Sequence, residues 1–88
     1  MNTRYEILPE HMQDGMMRYI EQGYHPGDFL YLMLCHEIYD ATGHADHINL
    51  QALPTYIRFM YNEIPASAHG SRENVDAWMK SKQEINNG

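Results

Sequence analysis

Apolar positions recur every three to four residues along most of this chain and divide it into four helical segments. Met12, Met16, Tyr19 and Ile20 fall near one face of a first helix. Pro9 suits its opening turn, where a missing N–H costs nothing, and Gly23 suits a left-handed cap at its end. Gly15 lies inside this helix and marks a place where another helix can come close. Tyr24-His25-Pro26-Gly27 reads as a turn. From Phe29 to Cys35 the chain is apolar without a break, so a second helix, starting near Asp28 and ending at Gly43, is expected to be the most buried element.

Asp46 and Asn49 are both candidates to cap a third helix. Its stripe runs through Leu50, Leu53, Ile57, Met60, Tyr61 and Ile64, with Tyr56 beside it. Pro54 either bends this helix or begins it after a short turn at 46–51. One bent helix ending before Pro65 is the expectation. After a loop over 65–70, Ser71 caps a short fourth helix, with Val75, Trp78 and Met79 on its buried face and Trp78 as its anchor. Residues 1–8 read as an extended arm and 84–88 as a frayed tail. The expected fold is therefore all-α: one compact domain of three main helices plus a short C-terminal one, with helix two flanked by helices one and three.

Charge narrows the function classes. The chain has 88 residues and a net charge of −6, and no Lys or Arg occurs between Arg18 and Arg58. That interval carries Glu21, Asp28, Glu37, Asp40 and Asp46. A protein that grips phosphates needs cations to displace counterions, so direct nucleic-acid binding is not expected. A basic partner surface suits this balance. No apolar run approaches the roughly 20 residues that span a bilayer, and residues 1–11 include Arg4, Glu6, Pro9 and Glu10, unlike a secretory leader. With Cys35 as the only cysteine no internal disulfide can form, and a cytoplasmic setting is the expectation.

The densest chemistry is Cys35 to His47, C-H-E-I-Y-D-A-T-G-H-A-D-H, with three of the six histidines and three of the twelve acids. On a continuous helix His36, Asp40 and His44 would stack at i, i+4 and i+8, and Asp46 or His47 could complete a site for zinc or another divalent cation. The same run is similar to a metzincin motif, with Glu37 in the position of the general base and His36, Asp40 and Asp46 as ligands. Asp40 departs from the second histidine of that motif, and the likeness covers eleven residues only. The alternative is that these side chains solvate and cap the end of a buried helix, with no cofactor. Cys35 closes the apolar run and reads as a small core residue, not a nucleophile, because adjacent helical residues point about 100° apart and His36 is not its natural partner.

Seven tyrosines and seven methionines are many for this length. Tyr19, Tyr24, Tyr31, Tyr39 and Tyr61 are candidates for an exposed adhesive surface, or else for the rim of a small core. A homodimer through helix two or three would use either. The six histidines also allow a response to pH, although His25 and His69 carry no special signal.

Several phrases resemble a group of small uncharacterised proteins of tailed phages and prophages: L-P-E-H-M at 8–12, R-Y-I-E-Q-G at 18–23, P-G-D-F-L at 26–30, A-D-H-I-N at 45–49, Y-N-E-I-P at 61–65 and G-S-R-E-N at 70–74. The resemblance implies action inside a bacterial host and brings no catalytic residues with it. The leading expectation is an accessory protein that binds a host or phage protein with a basic surface, such as a nucleic-acid-handling or defence factor. Glu37, Tyr39, Asp40 and Asp46 are its candidate contact residues. Metal binding through His36, Asp40, His44 and His47 is the alternative from another class, and an oligomerising structural module is a third.

Overall fold

Local chemistry accounts for most of the helix ends in the computed structural model, which describes residues 3–87. A single turn of 3-10 helix at Tyr5–Ile7 comes first, where an extended arm was expected; residues 1 and 2 lie outside the described part. Helix α1 spans Glu10–Gln22. Pro9 precedes it, and the Gln13 amide donates to the Leu8 carbonyl at 2.9 Å across its start. Gly23, at φ 75°, closes it in the left-handed conformation. The Gly23 and Tyr24 amides return to the carbonyls of Tyr19 and Arg18, so these carbonyls are not left without donors.

Helix α2, Asp28–Leu34, buries Phe29, Leu30, Leu32, Met33 and Leu34. Each such side chain contributes roughly 1.5–3 kcal/mol when removed from water. As expected, this helix is the most buried; it packs against α5 and α6, which are described below, while α1, expected to flank it, packs chiefly on α6. It does not run on to Gly43. His36 takes φ 63°, the one positive φ outside glycine among the described residues. The Glu37 amide reaches back to the Leu32 carbonyl at 2.9 Å and the His36 amide to the Met33 carbonyl at 3.0 Å. This pair of bonds is the Schellman arrangement, with histidine where glycine is usual. A separate one-turn helix, α3, follows over Ile38–Thr42. Gly43 follows α3 with an ordinary right-handed φ of −68°.

The expected bent third helix is two helices. Asp46 caps α4, His47–Gln51, by accepting from the Asn49 amide at 2.7 Å. The chain breaks at Ala52, and α5, Leu53–Glu63, begins there with Pro54 in its first turn. Pro54 has no N–H to offer a preceding turn, so a new helix starts where a continuous one would lose a hydrogen bond. The buried Asn49 side chain ties the two together by accepting the Tyr56 hydroxyl at 2.7 Å.

A second 3-10 turn, Ala66–Ala68, leads to Ser71, whose Oγ accepts the Asn74 amide at 3.0 Å and caps α6. This helix, Arg72–Asn87, is the longest described, where a short one with a frayed end from 84 was expected; residue 88 lies outside the described part. Its length follows from its packing on α1. Val75 is fully buried, the Trp78 indole N–H donates to the Tyr19 and Ile20 carbonyls at 3.3 and 3.2 Å, and the Gln83 amide donates to the Gly23 carbonyl at 2.8 Å. Trp78 anchors the last helix as expected.

The buried side chains form one cluster, and the radius of gyration, 12.2 Å, matches the roughly 12 Å of a compact chain of this length. Among the described residues the secondary structure is helical throughout, and no helix is long and apolar enough to cross a membrane. A Cβ at Gly15 would sit 3.6 Å from Leu30 Cδ1 and 3.6 Å from the Pro26 carbonyl, which is ordinary contact. Gly15 is thus not needed for close approach. Gly15→Ala should stabilise the protein by about 0.5–1 kcal/mol through helix propensity, measurable as a higher urea midpoint with unchanged slope.

Candidate functional site

The break at His36 redistributes the whole Cys35–His47 run. On a continuous helix His36, Asp40 and His44 would share a face; after a left-handed residue they do not. His36 turns toward the loop before α6, where its Nε2 meets Nδ1 of His69 at 2.9 Å. Asp40 stays exposed on α3. His44 lines a different cleft with His25, Asp28, Tyr31 and Arg72. His47 meets the Gln51 amide at 3.3 Å within α4. Among the described residues no three His, Cys, Asp or Glu side chains converge as metal ligands would. The metzincin-like spacing likewise lacks the helix that its geometry needs, since His36 and Glu37 precede the first residue of α3. Cys35 is buried, and burial pushes its thiol pKa up, as suits a core residue.

The four candidate contact residues separate too. Glu37 is engaged by Arg72 of α6 in a two-pronged ion pair, with Nη2 on Oε1 at 2.9 Å and Nε on Oε2. Arg72 also lies 5.7 Å from the ring centre of Tyr31. Asp46 caps α4 and pairs with His11 at 2.8 Å. Those two acids have structural work. Asp40 remains outward, and Tyr39 beside it is 90% exposed.

Of the five tyrosines singled out from the sequence, Tyr24, Tyr39 and Tyr61 are exposed. Tyr19 is fully buried, with its hydroxyl donating to the Ala68 carbonyl at 2.7 Å, and burial raises its pKa. Tyr31 is half-buried, stacks on His25 and donates to Asp76 at 2.9 Å; burial, then that bond, pushes its pKa up to about 12. Both belong to the scaffold.

The surface feature that remains is a groove of about 240 Å³ between the start of α3 and the outer face of α5. It is lined by His36, Ile38, Ile57, Met60 and Tyr61. Ile57 and Tyr61 also wall a neighbouring hollow with Arg58 and Asn62. Tyr61 is 85% exposed and Ile57 48%. Helix α5 presents two apolar stripes: Tyr56, Phe59 and Met60 inward, Ile57 and Tyr61 rotated about 100° outward. The sequence stripe merged them. Counting turns would have separated 57 and 61 from 56, 59 and 60, whereas no local signal marks His69, which the loop before α6 brings to His36.

Charge pairing elsewhere fixes the scaffold. Arg4 holds Glu63 through its backbone amide and its guanidinium, at 2.8 Å for the closest contact. The carboxyls of Glu37 and Glu63 are held below their usual range by hydrogen bonds from Arg72 and Arg4, and that of Asp46 by the Asn49 amide and then His11. A carboxylate with a lowered folded-state pKa contributes stability that is complete above the ordinary value of about 4 and is lost as pH falls through the lowered one. The melting temperature should therefore drop below about pH 4. Glu37→Gln should lower the neutral-pH value slightly and make the acid decline shallower. Scanning calorimetry between pH 7 and 2 measures both.

Compared with known protein families, with curated proteins and with solved structures, the chain matches none.

Proposed function

We propose that this protein is a small binding module that docks on a basic surface of a protein partner, in the manner of a phage or prophage accessory factor acting on host machinery. The observation that carries the reading is the outward Tyr61 lining an apolar groove with Ile38, Ile57 and Met60. Single exposed apolar residues are ordinary; an apolar groove with an exposed tyrosine in its wall is the composition of an interface centre. Charge supplies the partner's sign. The net charge is −6; Arg4 and Arg72 are committed to Glu63 and Glu37, Lys82 lies 4.9 Å from the ring centre of Trp78, and Arg18, Arg58 and Lys80 are the remaining cations. Glu10, Asp14, Asp28, Asp40 and Glu73 stay exposed. A protein that normally holds nucleic acid has the basic surface this balance favours.

The test is capture from bacterial lysate with the tagged chain, followed by mass spectrometry and by binding measurements on the purified partner. The expected result is one stoichiometric protein whose binding weakens at least tenfold with Tyr61→Ala and with Asp40→Lys, and weakens with added salt. Asp46 is a poor choice for this test because it caps α4. Capture that ignores both substitutions would overturn the reading. Self-association lost with Tyr61→Ala, seen by sedimentation, would replace it with the oligomerising module.

A further inference from the structure

We infer that the His36–His69 hydrogen bond is a pH-sensitive latch on the α3–α5 groove, released when both rings carry a proton. The inference rests on the docking reading for its purpose, not for its geometry.

The joint is built from both sides. His36 closes α2 at a position where glycine is usual, in a left-handed conformation that a side chain disfavours. A histidine kept there at a cost to the backbone points to a use for its ring, and the ring has two contacts: it lines the groove, and it meets His69. His69 is held in place by its loop. The Gly70 amide donates to the Leu34 carbonyl at 2.8 Å, and the Asn74 side chain donates to the His69 carbonyl at 2.9 Å. One imidazole thus belongs to the end of α2 and the other to the start of α6, and their bond spans the two.

A hydrogen bond between imidazoles needs one nitrogen lone pair. The neutral pair has it, and so does the pair with one added proton, in which the bond is charge-assisted. With two added protons every ring nitrogen is a donor, the bond is gone, and two cations with ring centres 5.0 Å apart repel. His69 is half-buried; burial, then the charge of His36, holds its pKa below the ordinary histidine range. Its neutral form therefore supports the fold fully above pH about 6.5, and that support is lost as pH falls through the lowered value. The other charged and titratable groups on the surrounding elements are Asp28 and Tyr31 on α2, Cys35 and Glu37 at the corner, Tyr39 and Asp40 on α3, Tyr56, Arg58, Tyr61 and Glu63 on α5, and Arg72, Glu73, Asp76, Lys80, Lys82 and Glu84 on α6. Glu37 and Arg72 neutralise each other, and Glu37 stays ionised because its carboxyl is held low. The new charge at the groove edge thus comes from His36, and it opposes a basic partner.

The experiment is an NMR titration of the full chain, labelled uniformly, from pH 8 to 5, following the imidazole carbons and the groove methyls. The methyl signals of Ile38, Ile57 and Met60 should shift with the midpoint of the later-titrating ring of the pair. In His36→Gly, which keeps the left-handed corner without strain, and in His69→Gln, the same methyls should stay still over that range. Groove methyls that ignore the second protonation, or that move equally in both variants, would overturn the latch. The docking reading fails separately: a moving groove in a protein whose partner capture is indifferent to Tyr61→Ala would retain the latch and remove the interface.

Discussion

Phe59→Ala is expected to remove about 4 kcal/mol of stability, a large part of what a domain of this size holds. Phe59 is fully buried on the inner face of α5, and its ring lies 5.9 Å from that of Tyr5 in the 3-10 turn near the N-terminus. Truncation loses the transfer energy of a phenyl ring and leaves a void that α5 cannot close. Its ends are fixed by the Asn49–Tyr56 bond on one side and the Arg4–Glu63 pair on the other. Urea denaturation followed by circular dichroism measures the loss. A change below 1 kcal/mol would mean that this face of α5 is not packed as described. The outer-face substitution Ile57→Ala, at a half-exposed position, is the control and should cost far less.

Gly23→Ala should cost about 3 kcal/mol, from two independent sources. The φ of 75° penalises any Cβ by roughly 1–2 kcal/mol. The Cβ would also lie 2.6 Å from the Met79 carbonyl oxygen and 2.8 Å from Lys82 Cβ, so α6 has to move away from the end of α1. Overpacking of this kind costs about 1–3 kcal/mol. The obstacle is backbone, not a flexible side-chain tip, so it cannot swing aside. A drop of roughly 12–24 °C in melting temperature is expected on the scale of 4–8 °C per kcal/mol for small domains. The same substitution at Gly15 should raise stability. That opposite sign, for one chemical change in one helix, tests the packing of α6 on α1 directly. A small effect at Gly23 would place α6 farther from α1.

The contrast between these glycines shows how far the sequence reaches. Gly23 was readable as a helix end because left-handed φ is a local property of glycine. That a second helix backbone rests on it is a tertiary fact. Asp46 and Ser71 were readable as caps for the same local reason, since a side-chain oxygen two or three residues before a free amide is sufficient. The burial of α2 followed from an unbroken apolar run, which has no wet face to offer. Pro54 left two options open, and the packing of Tyr56 on Asn49 accompanies the broken one.

The all-helical class, the central helix, most caps and the sign of the charge follow from the amino-acid order alone. These depend on residues within a turn of one another. The end of α2 was decided otherwise. No glycine or proline interrupts 28–42, so the pattern reads as one helix; the chain reverses at His36 because the loop before α6 supplies a partner ring and a backbone donor to the end of α2. That single break disperses the apparent metal cluster, commits Glu37 to Arg72 and opens the groove on α5. The candidate site is made of residues 33 apart in sequence at its histidine pair, and no periodicity encodes a contact between them. Tertiary structure alone selected it, because only the packed core brings those two backbones close enough for their side chains to meet.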